Sequence, residues 1–313
     1  MMKIIFMGTP DYAAAALASL IKAGHEIALV VTMPDKPAGR GGKIKLSPVK
    51  ELALKEGLRV FQPEKVKSVD SVSVLEEVGA DIGVVAAFGQ ILSKEALAAP
   101  RLGCVNIHAS LLPRYRGASP IQQAILDGVR ATGVTIMQMD EGIDTGDIIC
   151  QHVIQVAEGE TGGSLFEKLT SIGADLILDA LKMIENGEAT PVRQNAELAT
   201  YTGQIRKDMG VIRWGDDAEY IERLVRAMDP WPSAYTRLPD QKLLKIWKAS
   251  AESQTVTKGS EIGRVCAVDQ TSFVVTTGKG CLRVLEVQLE GKKRMTSADF
   301  LRGYHMSEGT VLY

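Results

Sequence analysis

The sequence is poor in cysteine and has no closely spaced cysteine pair. Its four cysteines, Cys104, Cys150, Cys266 and Cys281, lie far apart along the chain, and none belongs to a Cys-x-x-Cys motif. Disulfide frameworks and structural zinc sites depend on such spacing. The acidic stretch that follows residue 138 also lacks the ligand spacing of a calcium loop. We therefore expect a reducing compartment, no disulfide and no metal.

Long hydrophobic runs and targeting signals are also missing. The N-terminal apolar run ends at residues 8–11, Gly-Thr-Pro-Asp, which is too early for a secretory signal. No apolar run approaches the roughly 18 residues that span a bilayer. These absences predict a cytoplasmic protein that does not use a membrane.

Two common nucleotide-binding motifs are absent as well. The first predicted strand, residues 3–7, is not followed by Gly-x-Gly-x-x-Gly, and the chain has no Gly-x-x-x-x-Gly-Lys-[Ser/Thr]. The first motif binds dinucleotides, and the second binds the phosphates of nucleoside triphosphates. A nicotinamide-dependent enzyme and a P-loop enzyme are therefore both disfavoured.

The N-terminal part of the chain has a doubly wound α/β pattern. A predicted helix over 13–21 separates predicted strands over 3–7 and 26–32. This order is typical of a parallel sheet that is covered by helices on both faces. The pattern ends with a long predicted helix over 161–186. We predict a Rossmann-like doubly wound domain over residues 1–188.

The remainder of the chain predicts a second, smaller domain. Residues 189–207 are polar, contain Pro and Gly, and have the composition of a linker. Beyond them, short predicted strands recur about every ten residues, which is typical of a small β-barrel. We predict a C-terminal OB-like barrel over residues 208–313. The mild excess of Lys and Arg in this part fits RNA binding and a solvated surface about equally well.

The most informative stretch is residues 102–117, which begins as a strand and ends in a loop. Strand side chains alternate, so Asn106 and His108 face one side while Val105 and Ile107 face the other. Ligands of doubly wound sheets bind just beyond the carboxyl ends of the strands. The amide can donate to a developing oxyanion, and the imidazole can exchange a proton near neutral pH. The pair predicts acyl transfer to an amine. An isolated pair of this kind, however, more often has its hydrogen bonds satisfied within the end of a strand.

An acidic, glycine-bearing turn follows the next predicted strand. This turn, residues 139–147, reads Met-Asp-Glu-Gly-Ile-Asp-Thr-Gly-Asp and places Asp144 at a loop tip. Because the two strands are consecutive, we expect this carboxylate to approach His108 and to orient it. We also expect Arg114 and Arg116, which follow the strand that carries Asn106 and His108, to face a ligand.

Three segments together resemble the formyltransferases that use 10-formyltetrahydrofolate. They are Asn106-Ile107-His108, the run Ser-Leu-Leu-Pro-Arg-Tyr-Arg-Gly over 110–117, and Gly-Val-Thr over 133–135 with Asp-Thr-Gly-Asp over 144–147. The resemblance covers the entire chain. It implies a catalytic trio of Asn106, His108 and Asp144. It also implies a folate site, which is lined by Ser110, Leu111, Leu112 and Pro113.

A basic loop over residues 34–50 distinguishes the chain within that family. The loop contains three prolines and three glycines, and its basic residues outnumber its single acid. From the loop alone, phosphate binding and a solvated linker are equally good interpretations. The resemblance favours the first, because family members that act on methionyl-tRNA carry a similar insertion. It implies that the tRNA is contacted by Arg40, Lys43 and Lys45. It also implies that the C-terminal barrel, residues 208–313, binds the tRNA.

The resemblance implies one reaction above the others. The formyl group of 10-formyltetrahydrofolate, a co-substrate, would pass to the free α-amino group of methionyl-initiator tRNA, for translation initiation. Within the same chemistry, an amino sugar nucleotide or glycinamide ribonucleotide is the alternative acceptor. A non-catalytic RNA-binding protein is a third interpretation, which the polar trio disfavours. No metal is implied, and we expect a monomer.

Overall fold

The structure is a computed structural model that describes residues 1–38, 43–253 and 261–313, with the side chains at 37–38 and 43–44 excepted. The chain forms two compact units. The larger unit comprises Met1–Pro120, Ala131–Gln155 and Phe166–Thr202, and the smaller unit comprises Ile121–Arg130, Val156–Leu165 and Gly203–Tyr313.

The larger unit is built on strands that alternate with helices. Its strands are, in chain order, β1 (Lys3–Gly8), β2 (Glu26–Val31), β3 (Lys36–Ala38), β4 (Lys43–Lys45), β5 (Val60–Phe61), β6 (Ile82–Ala86), β7 (Cys104–His108), β8 (Arg116–Gly117), β9 (Ala131–Gln138), β10 (Ile148–Gln155) and β11 (Tyr201–Thr202). The helices up to residue 185 are α1 (Asp11–Lys22), α2 (Pro48–Lys55), α3 (Val69–Glu77), α4 (Lys94–Ala98), α5 (Pro120–Leu126) and α6 (Gly162–Glu185). Of these, α5 from Ile121 onward and α6 up to Leu165 belong to the smaller unit. Across the described residues, no helix is both long enough and apolar enough to cross a membrane.

Seven of these strands form one sheet in the order β10-β9-β7-β6-β1-β2-β5. The five strands from β7 to β5 run parallel, whereas β9 runs antiparallel to β7 and β10 runs antiparallel to β9. From β1 the chain moves outward to β2 and β5, and it then crosses to β6 and β7 on the other side. This reversal is the doubly wound topology. The predicted α/β fold class is therefore confirmed.

The centre of this sheet is buried on both faces. Four consecutive residues of β1, namely Ile4, Ile5, Phe6 and Met7, are completely inaccessible to solvent. Because strand side chains alternate between the faces, continuous burial means that both faces are covered. Strand β7 pairs with β6, which in turn pairs with β1. This rigid centre therefore fixes the position of the carboxyl end of β7.

Part of the basic segment over 34–50, which was predicted as an irregular loop, is a hairpin. Strands β3 and β4 pair antiparallel, with Lys36 opposite Lys45. The prediction of an irregular loop was wrong for these strands because each has only three residues, too few for a periodic pattern. Arg40 lies outside the described residues.

Much of the predicted linker belongs to the larger unit. Strand β11 pairs in parallel with β8. Val192 and Ile148 exchange two backbone hydrogen bonds of 2.8 Å each. Polar composition suggested a linker, but pairings of one or two residues leave no periodic signal in a sequence. The domain boundaries at 188 and 208 stay a prediction.

The smaller unit contains an antiparallel sheet. Its strands are β12 (Ala234–Arg237), β13 (Leu243–Glu252), β14 (Val265–Val268), β15 (Phe273–Thr276), β16 (Cys281–Leu289) and β17 (Met295–Thr296), and its C-terminal helices are α7 (Ala218–Ala227) and α8 (Ser297–Gly303). The strand order is β12-β13-β16-β15-β14, and β17 pairs with β16. Helix α7 buries Ile221, Leu224 and Val225, the stripe that its helical spacing predicts. The predicted C-terminal β domain is confirmed.

Candidate active site

The carboxyl end of β7 carries the two polar residues that the sequence indicated. Asn106 is half-buried and His108 is only 6% exposed, while the intervening Ile107 is buried. Strand β7 pairs with β6 on one side and with β9 on the other. Because neighbours hold its backbone on both edges, the two side chains start from fixed positions.

Asp144 contacts both of these residues. Its Oδ1 atom accepts a hydrogen bond from Asn106 Nδ2 over 3.4 Å, and its Oδ2 atom lies 3.6 Å from His108 Nδ1. The Oδ2 atom also accepts a hydrogen bond of 2.7 Å from the Gly117 N–H. The structure therefore brings the three predicted residues together. Their catalytic roles stay a prediction.

The backbone of Asp144 is in the left-handed region, with φ of +52°. For a residue other than glycine this conformation costs about 1–2 kcal/mol, although Asp and Asn tolerate it best. The loop tip is stiffened from within, because the carboxylate of Asp140 accepts bonds from the Gly142 N–H and the Thr145 hydroxyl, at 3.0 and 2.6 Å. Such a conformation persists only where the surroundings hold it.

The imidazole of His108 is oriented by a backbone carbonyl. Its Nε2 atom lies 2.9 Å from the carbonyl oxygen of Tyr115. A carbonyl oxygen can only accept, so Nε2 carries a hydrogen and donates it. In the neutral ring the lone pair is then on Nδ1, the atom that faces Asp144. Sequence reasoning had given the orienting role to Asp144.

The prediction that Arg116 faces a ligand was wrong, because its side chain is buried. Arg116 is 4% exposed, and its Nε and Nη2 atoms donate to Gln194 Oε1 at 3.1 and 2.8 Å. Its Nη1 atom donates to the Tyr201 hydroxyl over 3.2 Å, and the guanidinium lies 5.8 Å from the centre of the Tyr201 ring. A buried cation needs acceptors around it. Arg114, in contrast, is exposed.

Gln194 was missed by sequence reasoning, although it contacts the Asp144 loop directly. Its Nε2 atom donates to the carbonyl oxygens of Asp144 and Gly146, at 2.9 and 2.7 Å. A single glutamine in a polar segment has no motif that could identify it. The pairing of that segment with β8 and the pairing of Val192 with Ile148 are what indicate that it reaches this region.

The loop predicted to line a folate site is tied to itself and to β9. The Thr135 hydroxyl donates to the Ser110 carbonyl over 2.7 Å and accepts from the Leu112 N–H over 3.1 Å. Ser110 and Leu112 are buried, whereas Leu111 and Pro113 are half-buried. The accessible surface of this loop is therefore largely apolar, and Ser110 and Leu112 shape it from within.

No group of His, Cys, Asp and Glu residues that could hold a metal occurs in the described part of the chain. The nearest cysteine to the trio in sequence, Cys104, is completely buried, and burial raises the pKa of its thiol to about 12. Burial likewise raises the pKa of Cys150 to about 11. Because the thiolate is the reactive form, neither thiol is suited to nucleophilic attack near neutral pH.

Of the three predicted tRNA contacts, Lys45 is the one whose side chain is described. Lys45 is exposed, and so is Lys36, its partner across the hairpin. Side chains that are directly opposite in a hairpin lie on the same face, and two like charges there destabilise it. Arg40 and the side chain of Lys43 lie outside the described residues. The hairpin thus carries two positive charges on one face, and these charges destabilise it.

A polar cluster anchors the base of this hairpin. Lys50 forms an ion pair with Asp35, and its Nζ atom donates to Gln62 Oε1 over 2.6 Å. Gln62 Nε2 donates in turn to Asp35 Oδ1 over 2.9 Å. The ammonium of Lys50 is therefore engaged within the protein, unlike that of Lys45.

Solved structures with a similar fold include an N-formyltransferase and HypX, whose chain is about twice as long as the part that matches. The N-formyltransferase from Helicobacter canadensis, in complex with folinic acid and dTDP-3-aminofucose, is 18% identical with a TM-score of 0.66, over 94% of this chain and 100% of that chain. HypX from Aquifex aeolicus, in complex with tetrahydrofolic acid, is 18% identical with a TM-score of 0.62, over 96% of this chain but only 47% of that chain. At this level of identity the likeness concerns the fold alone.

Sequence relatives are much closer and match over their full length. A methionyl-tRNA formyltransferase from Agathobacter rectalis is 52% identical over 312 residues, 99% of each chain, and one from Chromobacterium violaceum is 47% identical over the same shares. The sequence model described as formyl transferase matches residues 2–181, and that of the formyl transferase C-terminal domain matches residues 204–305. The chain belongs to the formyl transferase family.

Proposed function

We propose that the protein transfers the formyl group of 10-formyltetrahydrofolate to the α-amino group of methionyl-initiator tRNA. The observation that supports this most strongly is the match to methionyl-tRNA formyltransferases over 99% of both chains at 52% identity. The contacts among Asn106, His108 and Asp144 support the same reaction class, since acyl transfer to an amine needs a proton acceptor and a donor for the oxyanion.

His108 is suited to act as the general base. Its Nε2 hydrogen is bonded to Tyr115, so Nδ1 has the free lone pair. As the amine nitrogen forms its bond to the formyl carbon, Nδ1 accepts the proton that the amine loses. The carboxylate of Asp144, 3.6 Å away, then faces the positive imidazolium. The same proton then passes from Nδ1 to the nitrogen of the formyl donor, as the bond between that nitrogen and the formyl carbon breaks.

Asn106 is suited to stabilise the oxyanion of the tetrahedral intermediate. Its Nδ2 atom carries two hydrogens, and one of them points to Asp144 Oδ1 over 3.4 Å. The second hydrogen remains for the oxygen of the formyl group. Because Asp144 holds the amide in place, the donor is oriented before the reaction begins. A single donor of this kind contributes about 3–4 kcal/mol to transition-state stabilisation.

The Ser110–Pro113 loop fits a folate by its apolar surface. When bound, 10-formyltetrahydrofolate supplies an activated formyl group. Leu111 and Pro113 are the half-buried residues of the loop and would contact a flat ring. The backbone groups of Leu112 are already bonded, its N–H to Thr135 and its carbonyl to Gln151 over 3.0 Å. The loop would therefore contribute contact area, and hydrogen bonds to the ligand would come from other residues.

The basic hairpin supports a nucleic-acid substrate. Lys36 and Lys45 project from one face, and the cluster around Lys50 fixes the base from which they project. Positive charge held in this way binds phosphates and makes affinity dependent on salt. We include Arg40 and Lys43 of the same segment among the proposed tRNA contacts.

An amino sugar nucleotide is the second candidate acceptor, because sugar N-formyltransferases share the fold. To separate the two, the purified protein is given 10-formyltetrahydrofolate with methionyl-initiator tRNA, with a dTDP-amino sugar, or with glycinamide ribonucleotide. We expect kcat/KM for the tRNA to exceed the other values by at least about a thousandfold, as for a site built around one substrate. A higher value with either nucleotide would overturn the proposal.

A further inference from the structure

We propose that Gln194 is a positioning residue that holds Asp144 in its catalytic place, an inference that rests on the proposed function. Gln194 is 7% exposed, and both ends of its amide are bonded. The Nε2 atom donates to the carbonyl oxygens of Asp144 and Gly146, at 2.9 and 2.7 Å. The Oε1 atom accepts from two nitrogens of Arg116. The amide thus links the Asp144 loop to strand β8.

The backbone of the Asp144 loop needs such a link because the tip's other bonds to neighbouring segments are made by the Asp144 carboxylate, which accepts from Asn106 and Gly117. The bonds from Gly142 and Thr145 to Asp140 stiffen the tip without attaching it to another segment. The residue that must be held is in the left-handed region, with φ of +52°. Its carbonyl oxygen accepts from Gln194, so the bond acts on the strained residue itself.

Arg116 fixes the direction in which Gln194 donates. An amide side chain can rotate so that its oxygen and nitrogen exchange places, and the partners decide between the two states. Two guanidinium donors meet the oxygen, at 3.1 and 2.8 Å, so the nitrogen faces the loop. Tyr201 holds the guanidinium from the other side with its hydroxyl and its ring.

Strand β8 consequently fixes Asp144 at two points. The Gly117 N–H binds the carboxylate directly over 2.7 Å, and the neighbouring Arg116 binds the backbone of the loop through Gln194. Because the carboxylate and the backbone of Asp144 are both held from β8, the Oδ2 atom of Asp144 stays 3.6 Å from His108 Nδ1. Loss of the Gln194 link would widen the range of positions that the carboxylate samples.

Two substitutions separate positioning from folding. Gln194→Ala removes both bonds to the loop and leaves the buried guanidinium with one acceptor fewer. Gln194→Glu keeps the size of the side chain and an acceptor for Arg116, but it places an oxygen against the two loop carbonyls. We expect each variant to lower kcat about tenfold and to leave both KM values within twofold, because a displaced carboxylate weakens the transition state without altering either binding surface.

A double-mutant cycle tests whether Gln194 acts through Asp144. In the Asp144→Asn background the carboxylate is gone, so we expect Gln194→Ala to lower kcat by less than twofold there, against about tenfold in the wild type. Gln138→Ala is the matched control, because Gln138 Nε2 also bridges two backbone carbonyls, those of Leu102 and Cys104, at 3.3 and 3.1 Å. We expect the control to change kcat by less than twofold in both backgrounds.

The outcomes distinguish this inference from the proposed function. An equal loss of kcat from Gln194→Ala in both backgrounds, with an active wild-type protein, would overturn the positioning role alone. An unchanged kcat in the folded Gln194→Glu variant would overturn it as well. A wild-type protein that does not formylate methionyl-tRNA would overturn the proposed function together with the role that rests on it.

Discussion

The Nε2 atom of His108 and the carbonyl oxygen of Tyr115 lie 2.9 Å apart at the end of β7. This bond assigns the tautomer of a ring that is 6% exposed, and it turns the lone pair of Nδ1 toward Asp144. The carboxylate therefore acts on a ring that the backbone has already oriented. His108 and Asp144 therefore have separate roles, and a substitution of each tests its role.

Substitution of His108 by Ala should remove the proton acceptor. We expect kcat with methionyl-tRNA to fall by at least about a hundredfold, since general base catalysis contributes factors of that size. The far-ultraviolet circular dichroism spectrum should be unchanged. The exposed His152 provides a control, because His152→Ala should keep kcat within twofold. Near-normal turnover of His108→Ala would exclude the ring from the reaction.

Substitution of Asp144 by Asn should remove the charge while keeping the backbone. Asn tolerates the left-handed region as well as Asp does, so the loop can retain φ near +52°. We expect kcat to fall about a hundredfold, because the imidazolium formed during attack loses its counter-charge. Steady-state kinetics at saturating substrates measure this. The exposed Asp147 of the same loop is the control, and an equal loss from Asp147→Asn would show that the effect is not specific to Asp144.

The elements that the sequence predicted well are those with long periodic patterns. The buried strand β1 and the long helix α6 have continuous or helical patterns, and the bounds of each lie within one residue of those predicted, 3–7 and 161–186. The hairpin β3–β4 and the pair β8–β11 have strands of two or three residues. Such short pairings are decided by tertiary contacts that no local pattern records.

The site was predictable only as far as its side chains formed a motif. Asn106, His108 and Asp144 could be named because their spacing matches a family pattern, and the structure brings them together. The carbonyl of Tyr115 could not be named, since every residue has one. Gln194 lies 50 positions from Asp144 in the chain, within a segment of linker-like composition. Arg116 was expected to face a ligand because it follows the strand that carries Asn106 and His108, and its position in the sequence does not record the buried acceptor, Gln194.

The charge of the basic hairpin can be tested without touching the trio. We expect the double substitution Lys36→Glu and Lys45→Glu to raise KM for methionyl-tRNA at least about tenfold and to leave KM for 10-formyltetrahydrofolate unchanged. The slope of log KM against log salt concentration should also become shallower, because fewer phosphate contacts form. Lys22 and Lys55, which are exposed at the ends of α1 and α2, provide a double substitution to Glu with the same change in net charge. Equal effects from both pairs would indicate a general charge effect.

Asp269 in the smaller unit should make stability depend on pH. Its pKa is held well below the usual range, first by the hydroxyl and N–H of Thr271 and then by Ser272. A carboxyl whose pKa is lower in the folded state stabilises the fold above its unfolded pKa, about 4, and loses that contribution as pH falls. We expect Asp269→Ala to lower Tm by a few degrees at pH 7, with a difference from the wild type that shrinks below pH 4. The exposed Glu308→Gln serves as the control. A difference that grows on acidification would contradict this account.

Tyr12 offers a prediction in the stabilising direction. The side chain is 7% exposed, its hydroxyl has no hydrogen-bond partner among the described residues, and its ring packs at 6.0 Å from that of Phe166. Burial of an unpaired hydroxyl costs about 1–3 kcal/mol, whereas the ring contact is favourable. Tyr12→Phe should therefore raise the free energy of unfolding by about 1 kcal/mol, measured by urea denaturation. Tyr12→Ala should lower it by about 3 kcal/mol or more, because the ring is lost and a cavity remains. A decrease in both variants would mean that the hydroxyl stabilises the fold and has a partner in solution.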